Sequence, residues 1–254
     1  MRVRLTVAYD GAGFSGFAAQ PGVRTVGGTL ADVLGRVLRQ PVTLTVAGRT
    51  DAGVHAWGQV VSFDVDPSAL PGGEVDLAAT QRSVNGALAP TVVVRDARVA
   101  DPAFDARRSA LARRYRYSVL NRETPDPFLR GTTWHVPAPL DLDILRLACD
   151  PLIGERDFSS FCRVPRRATS PVSMVRRVID ARWVDLGDGL LRFDVEASSF
   201  CHQMVRALTG TMVAMGAGRK KPGEMATVMR ARSRAAAPDL APAHGLCLWE
   251  VVYP

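Results

Sequence analysis

The amino-acid sequence predicts an α+β fold made of two tandem ferredoxin-like units, residues 1–105 and 106–254. Three observations carry this expectation. Apolar residues switch between period 2 and period 3.6 in the order β-α-β-β-α-β, and that order returns with insertions in the second half. A composition of 47% hydrophobic and 22% charged residues is that of an ordinary globular protein, with no apolar run long enough to span a bilayer. The charge balance also changes around Asp101–Asp105. Residues 1–105 hold 9 Arg, no Lys and 10 acids, whereas 106–254 hold 21 Arg, 2 Lys and 15 acids.

The elements follow in order. Arg2–Tyr9 alternates Val3, Leu5, Val7 and Tyr9 on one face, the pattern of a half-buried strand. After a glycine-rich turn, Val26, Leu30, Val33, Leu34, Val37 and Leu38 have helical spacing, and Pro41 stops that helix. Pro41–Ala47 and Gly58–Val65 read as strands, Leu77, Gln81, Val84 and Leu88 as a weaker helix ending near Pro90, and Thr91–Val99 as a strand. In the second half, Arg113–Leu120 alternates tyrosines with arginines, Thr132–Val136 is a short strand, and Leu142–Ile153 has helical spacing. Pro165–Pro171 reads as a loop. Val175–Val184 and Leu190–Ala197 are strands joined at Asp188-Gly189, a hairpin turn signal. Phe200–Met215 is the longest apolar helix, and a short helix near Glu224–Arg232 precedes a final strand, Leu246–Tyr253.

The opening MRVRLTVAYD reads as a strand, not a signal peptide. Four cysteines, Cys149, Cys162, Cys201 and Cys247, are widely spaced without a C-x-x-C pair, which predicts reduced thiols in a cytoplasmic protein. Cys201-His202 lacks further ligands at metal-binding spacing, so no metal is expected. The positive excess of 106–254 predicts a polyanion partner. A preference for arginine codons would explain Arg over Lys but not its confinement to one half.

Between two strand-like runs lies the densest chemistry in the chain, Ala47–Phe63, AGRTDAGVHAWGQVVSF. Asp51 is the only carboxylate of that loop and stands two residues from Arg49. A guanidinium neighbour keeps a carboxylate ionised, which suits nucleophilic or general-base work; a tight turn with an Asx-type hydrogen bond is the simpler alternative. Gly11-Ala-Gly13-Phe-Ser-Gly16 matches G-x-G-x-x-G, but no helix opens at these glycines and Asp32 sits inside a helix, so dinucleotide binding is not expected. In Arg113–Tyr117, tyrosines packed against the core with arginines in solvent stand beside base stacking among phosphate-seeking arginines. Arg206, near the start of an apolar helix, requires a partner or solvent. Arg166-Arg167 would contact phosphate if near a nucleic-acid groove, and otherwise would simply be solvated. His55 and His202 fit structural hydrogen bonds.

Ala47–His55 followed by Gly58-Gln-Val-Val61 resembles the signature of the tRNA pseudouridine synthase A family. The resemblance continues at Tyr9-Asp10-Gly11, Val84-Asn85, Phe104–Arg107, Ala112–Tyr117, Gly154–Phe158, Phe200–Arg206 and Gly245-Leu246, in order over the whole chain. It implies one continuous, mostly antiparallel sheet with a central active-site cleft, a homodimer, and no metal or organic cofactor. It also implies isomerisation of uridines 38, 39 and 40 in the anticodon stem-loop of tRNA. Asp51 would be the catalytic aspartate, Tyr115 would stack on the uracil and help remove its C5 proton, and Arg206 would pair with Asp51. Arg49 would contact the RNA and Leu246 would line the pocket, with Arg107, Arg166 and Arg167 as further RNA contacts. Family members commonly carry Gly-Trp-Gln where this chain has Gly16-Phe17-Ala18. A non-catalytic RNA-binding protein is the alternative from another class, although a carboxylate such as Asp51 would repel phosphate there.

Overall fold

The computed structural model describes residues 1–70, 73–164, 172–221 and 223–254. Among them the elements run β1 (Arg2–Tyr9), α1 (Val26–Val37), β2 (Thr45–Val46), β3 (His55–Asp64), α2 (Leu77–Leu88), β4 (Val92–Val99), β5 (Ala112–Leu120), β6 (Trp134–His135), α3 (Leu142–Leu147), β7 (Gly154–Asp157), β8 (Val175–Asp185), β9 (Leu190–Ala197), α4 (Met204–Gly216), α5 (Glu224–Ala231) and β10 (Leu246–Val252). Two compact units result: Met1–Leu111 with Leu248–Pro254, and Ala112–Cys247. The α+β class expected from the periodicities is the class observed, with mostly antiparallel strands.

In the first unit β1 is central, paired antiparallel with β3 on one side and β4 on the other. Its inward residues Val3, Leu5, Val7 and Tyr9 are buried, with Leu30, Leu34 and Val84 from the two helices in the same core. Thr25 caps α1 by accepting from the Gly28 N–H at 3.2 Å, and Asp76 caps α2 by accepting from the Ala79 N–H at 2.8 Å. β2 contracts to two residues, Thr45 opposite Ser62 and Val46 opposite Val61. β10 also pairs with β3. Its Trp249 ring stacks on Trp57 at 5.9 Å, and the Arg95 guanidinium lies over the Trp57 ring, 3.9 Å from its centre. Farther along, Val252 O accepts from the Leu111 N–H at 2.9 Å and the Tyr253 hydroxyl donates to Ala106 O at 2.6 Å.

The second unit orders its strands β5-β9-β8-β7, with β6 parallel to the end of β5. The β8–β9 hairpin turns at Asp188 and Gly189, both in the left-handed region (φ 51° and 73°), as the Asp-Gly signal predicts. The helix expected over Leu142–Ile153 stops at Leu147. Asp150–Leu152 forms a single 3₁₀ turn instead, because Pro151 offers no N–H for α-helical pairing. The apolar helix begins at Met204 rather than Phe200, since Gln203 turns into the left-handed region at φ 67°. Of α4, only Arg206 is not fully buried.

One sequence expectation is corrected here. Cys162 and Cys201 are not separate thiols: they form a disulfide with Cα atoms 5.6 Å apart. Their separation of 39 residues hides a pairing that only the packing of the second unit creates. Cys149 and Cys247 remain as thiols. Among the described residues no group of His, Cys, Asp and Glu is placed to hold a metal, and no helix is long and apolar enough to cross a membrane.

Candidate active site

Asp51 occupies the loop between β2 and β3, and that loop is held by the strands beside it. Gln59 lies on the inward face of β3 with Val61 and Phe63, all buried. A buried amide has to be satisfied internally. Its Nε2 donates to Gly48 O at 2.7 Å and to the Tyr9 hydroxyl at 3.2 Å, and its Oε1 accepts from the Val60 N–H at 3.2 Å. The Tyr9 hydroxyl in turn meets Thr50 Oγ1 at 2.8 Å. The chain is thus gripped at Gly48 and Thr50, on either side of Arg49 and directly before Asp51. Asp51 itself closes a turn, its carbonyl accepting from the Val54 N–H at 3.1 Å, and Gly53 supplies the left-handed residue that this turn needs (φ 76°). Arg49 is exposed, Thr50 buried and Asp51 half-buried.

The glycine segment after β1 braces the same loop. Phe17 N–H donates to Thr50 O at 3.1 Å, and Gly16 (φ 91°) lies so close that a Cβ there would sit 2.9 Å from Thr50 O. The far side of the segment is tied to the start of α1, where Val26 N–H donates to Gly16 O and Gly27 N–H to Phe17 O. Gly11-to-Gly16 is therefore a structural brace, which accounts for the failed dinucleotide context. Phe17 is buried with its ring 6.0 Å from Tyr9, so the aromatic of this departure from the family pattern packs into the core. His55 is buried and its Nδ1 accepts from the Gly11 N–H at 3.0 Å, the structural bond expected of it.

In the second unit Tyr115 lies on β5, buried, with the ring of Phe200 edge-on at 5.0 Å and 83°. The neighbouring arginines have structural partners. Arg113 donates to Ser198 O at 2.8 Å, Arg114 pairs with Glu196 at 2.7 Å, and Arg116 lies 3.6 Å from Asp194. Tyr117 is fully buried, its hydroxyl donating to Pro242 O at 2.8 Å. Burial pushes that phenol well above its usual range and keeps it neutral. Arg206, the third residue of α4, donates from Nε to Ala241 O at 2.8 Å, and its own carbonyl accepts from the Ala241 N–H at 3.1 Å. This two-way contact meets the need for a partner and fixes the first turn of α4. Leu246, at the start of β10, is buried. Arg107 is exposed in a turn whose N–H groups at Arg107 and Arg108 both donate to Asp105 at 2.8 Å. Those bonds, that from Arg108 foremost, hold the Asp105 carboxyl below its ordinary value. Arg166 and Arg167 lie outside the described residues.

Sequence reasoning passed over Tyr9, Thr50 and Gln59 as positioning residues. A usable signal existed: Gln59 falls in step with Val61 and Phe63 on a buried strand face, where an amide demands partners.

A family model described as tRNA pseudouridine synthase matches residues 148–254. Among curated relatives, tRNA pseudouridine synthase A of Frankia casuarinae is 45% identical over 256 residues, covering 100% of this chain and 90% of its own. That of Leifsonia xyli is 43% identical over 268 residues, covering 100% and 92%. That of Bacillus subtilis is 37% identical over 255 residues, covering 100% and 99%. A solved Cbf5-Nop10-Gar1 complex contains a chain matched over 83% of this one and 44% of its own length, at 14% identity and TM-score 0.36.

Proposed function

From the premise that this chain belongs to the tRNA pseudouridine synthase A family, whose members are isomerases acting on tRNA, we propose that it converts uridines 38, 39 and 40 of the anticodon arm to pseudouridine with Asp51 as the catalytic carboxylate. The observation that carries this reading is the grip on the Asp51 loop. Gln59, Tyr9, Thr50 and the backbone of Phe17 hold the residues on the N-terminal side of one carboxylate. A surface Asx turn needs no such support, whereas a reacting group must be kept within a fraction of an ångström of its place.

The chemistry asks little else of the protein. The N1–C1′ bond of uridine breaks, the uracil turns, a C5–C1′ bond forms, and the C5 proton leaves. Asp51 engages the nucleoside through its carboxyl group, and Tyr115 offers its ring to the uracil and assists the C5 proton. Arg206 is the cation of the site and Leu246 an apolar wall. A target base within a stem must leave the stack, and the arginine excess of 106–254 favours the phosphates of the opened strand. Arg49, Arg107, Arg166 and Arg167 are assigned to RNA contact. No cofactor is required, and the protein acts as a cytoplasmic homodimer.

Tritium release from tRNA labelled at uracil C5 tests the reading. Wild type releases tritium; Asp51→Asn, which keeps size and hydrogen bonding but removes the charge, binds tRNA with unchanged affinity and releases none. Equal release by both proteins sinks the Asp51 assignment. Binding without release by wild type across several tRNAs makes the chain a binder only.

A further inference from the structure

We infer that Cys162 and Cys201 are a redox modification site, a thiol pair whose reversible disulfide locks the turn carrying Phe200 and leading into α4. The two partners sit on unlike supports. Cys162 ends a 3₁₀ turn, Ser159–Phe161, that is built into the core: Phe158 and Phe161 are fully buried, and buried Ser160 donates to Val228 O at 2.6 Å and accepts from the Ser233 N–H at 3.1 Å. Cys201 belongs to Ser198–Gln203, where every side chain is at least partly exposed and Gln203 enters α4 in the left-handed region without a side-chain cap. The Arg163 N–H donates to His202 O at 2.9 Å, so backbone pairing already aligns the two segments. Cα atoms 5.6 Å apart are within the span that a disulfide bridges.

The lock acts on positions that matter to the proposed chemistry. Phe200, next to Cys201, packs edge-on against Tyr115, and Met204 N–H donates to Cys201 O in the turn that starts the helix bearing Arg206. Cys162 is 2% exposed, whereas Cys201 is partly exposed and is the sulfur that solvent species reach first. With a small disulfide such as oxidised glutathione as oxidant, the Cys201 thiolate attacks one sulfur and expels a glutathione thiolate. The Cys162 thiolate then attacks Cys201 Sγ and expels the second half as thiolate. Two protons pass from the protein thiols to the two glutathione thiols, the cysteine pair loses two electrons, and the small disulfide gains them. Neither remaining cysteine competes. Cys149 is buried, and burial pushes its thiol up to about 12, leaving almost no thiolate at neutral pH. Cys247 lies outside the bridge.

The experiment compares full-length protein equilibrated with oxidised glutathione and with dithiothreitol. Alkylation after denaturation should count two free thiols in the first and four in the second, with peptide mapping joining the Cys162 and Cys201 peptides. The oxidised protein should melt roughly 5–10 °C above the reduced one, because the bridge closes a long loop in the unfolded chain. Cys162→Ser and Cys201→Ser should each melt alike in both buffers, at the reduced wild-type value. Turnover on tRNA should be roughly 3- to 10-fold higher in the oxidised form, with tRNA affinity unchanged. Four free thiols after oxidation overturn the site, and a bridge that forms without moving turnover overturns the lock. The turnover arm rests on the reading under Proposed function. Thiol counts and melting use no RNA, so a bridge that forms and stabilises a protein inactive in both states refutes that reading and leaves the modification site standing.

Discussion

Gln59→Leu isolates the grip on the Asp51 loop. The substitution nearly conserves volume at a fully buried position, so neither a cavity nor overpacking contributes much. What it removes is three hydrogen bonds, to Gly48 O at 2.7 Å, to the Tyr9 hydroxyl at 3.2 Å and from the Val60 N–H at 3.2 Å. The losses are unequal. Gly48 is half-buried and can turn to water, and the Tyr9 hydroxyl keeps Thr50 Oγ1 at 2.8 Å. At about 1 kcal/mol per neutral bond, with part of the desolvation of the amide recovered by the apolar replacement, a net cost of about 2 kcal/mol is expected. For a chain of this size that lowers Tm by roughly 4–8 °C. The catalytic effect should be larger in proportion, since Gly48 is released three residues before Asp51. Single-turnover isomerisation, measured well below the lowered Tm, should fall at least about 10-fold while tRNA affinity stays within about twofold. Circular dichroism melts and tritium release at C5 supply the two numbers. A variant that melts lower yet turns over at the wild-type rate refutes the positioning role and leaves Gln59 as a stability residue only. Wild-type melting refutes the hydrogen-bond argument itself.

Three further outcomes follow from the same structure. Gly245→Ala would put a methyl 2.6 Å from the ring of fully buried Tyr117, and should destabilise by about 1–3 kcal/mol in urea melts; adding Tyr117→Phe, which shortens the crowded side chain, should recover part of that. The Ser159 hydroxyl, then the Ser159 N–H, hold the Asp157 carboxyl below its ordinary value. Its stabilising contribution is therefore complete above the unfolded-chain pKa of about 3.9 and is lost as pH falls through the lower folded value; Tm of wild type and Asp157→Asn should differ at pH 6 and converge in acid (roughly pH 2–3), and a constant gap would contradict the linkage. tRNA affinity should weaken at least about 100-fold between roughly 50 and 200 mM KCl if several phosphates are neutralised, as filter binding would read, and a flat salt profile would remove the basic half as the RNA contact.

The first unit was the more legible in sequence because local signals and tertiary contacts agree there. Arg2–Tyr9 alternates as it packs, and α1 ends at Val37, with Arg39 turning into the left-handed region (φ 51°) ahead of Pro41. β2 was overestimated because β-branched residues at Val42 and Thr43 mark strand propensity, while pairing with β3 extends only to Thr45 and Val46. In the second unit two boundaries moved for backbone reasons that apolar spacing does not register: Pro151 ended one helix early and the left-handed Gln203 started another late. The site divides similarly. Asp51 stood out because a carboxylate in a glycine-flanked loop is conspicuous, but the grip of Gln59, Tyr9 and Thr50 spans up to 50 residues. Composition cannot reveal such a network, nor can spacing reveal that Cys162 meets Cys201.

Residues 248–254 complete the first unit, where β10 takes an edge of β3, Trp249 stacks on Trp57 and Tyr253 reaches Ala106. During synthesis these residues leave the ribosome only after all of 112–247. The nascent first unit must therefore wait without Trp249 on Trp57 and without β10 beside β3. Unpaired strand edges and exposed indoles are what chaperones hold and what aggregation recruits. Maturation of the unit bearing Asp51 is thus coupled to the synthesis of residues 248–254, although its aspartate emerges early.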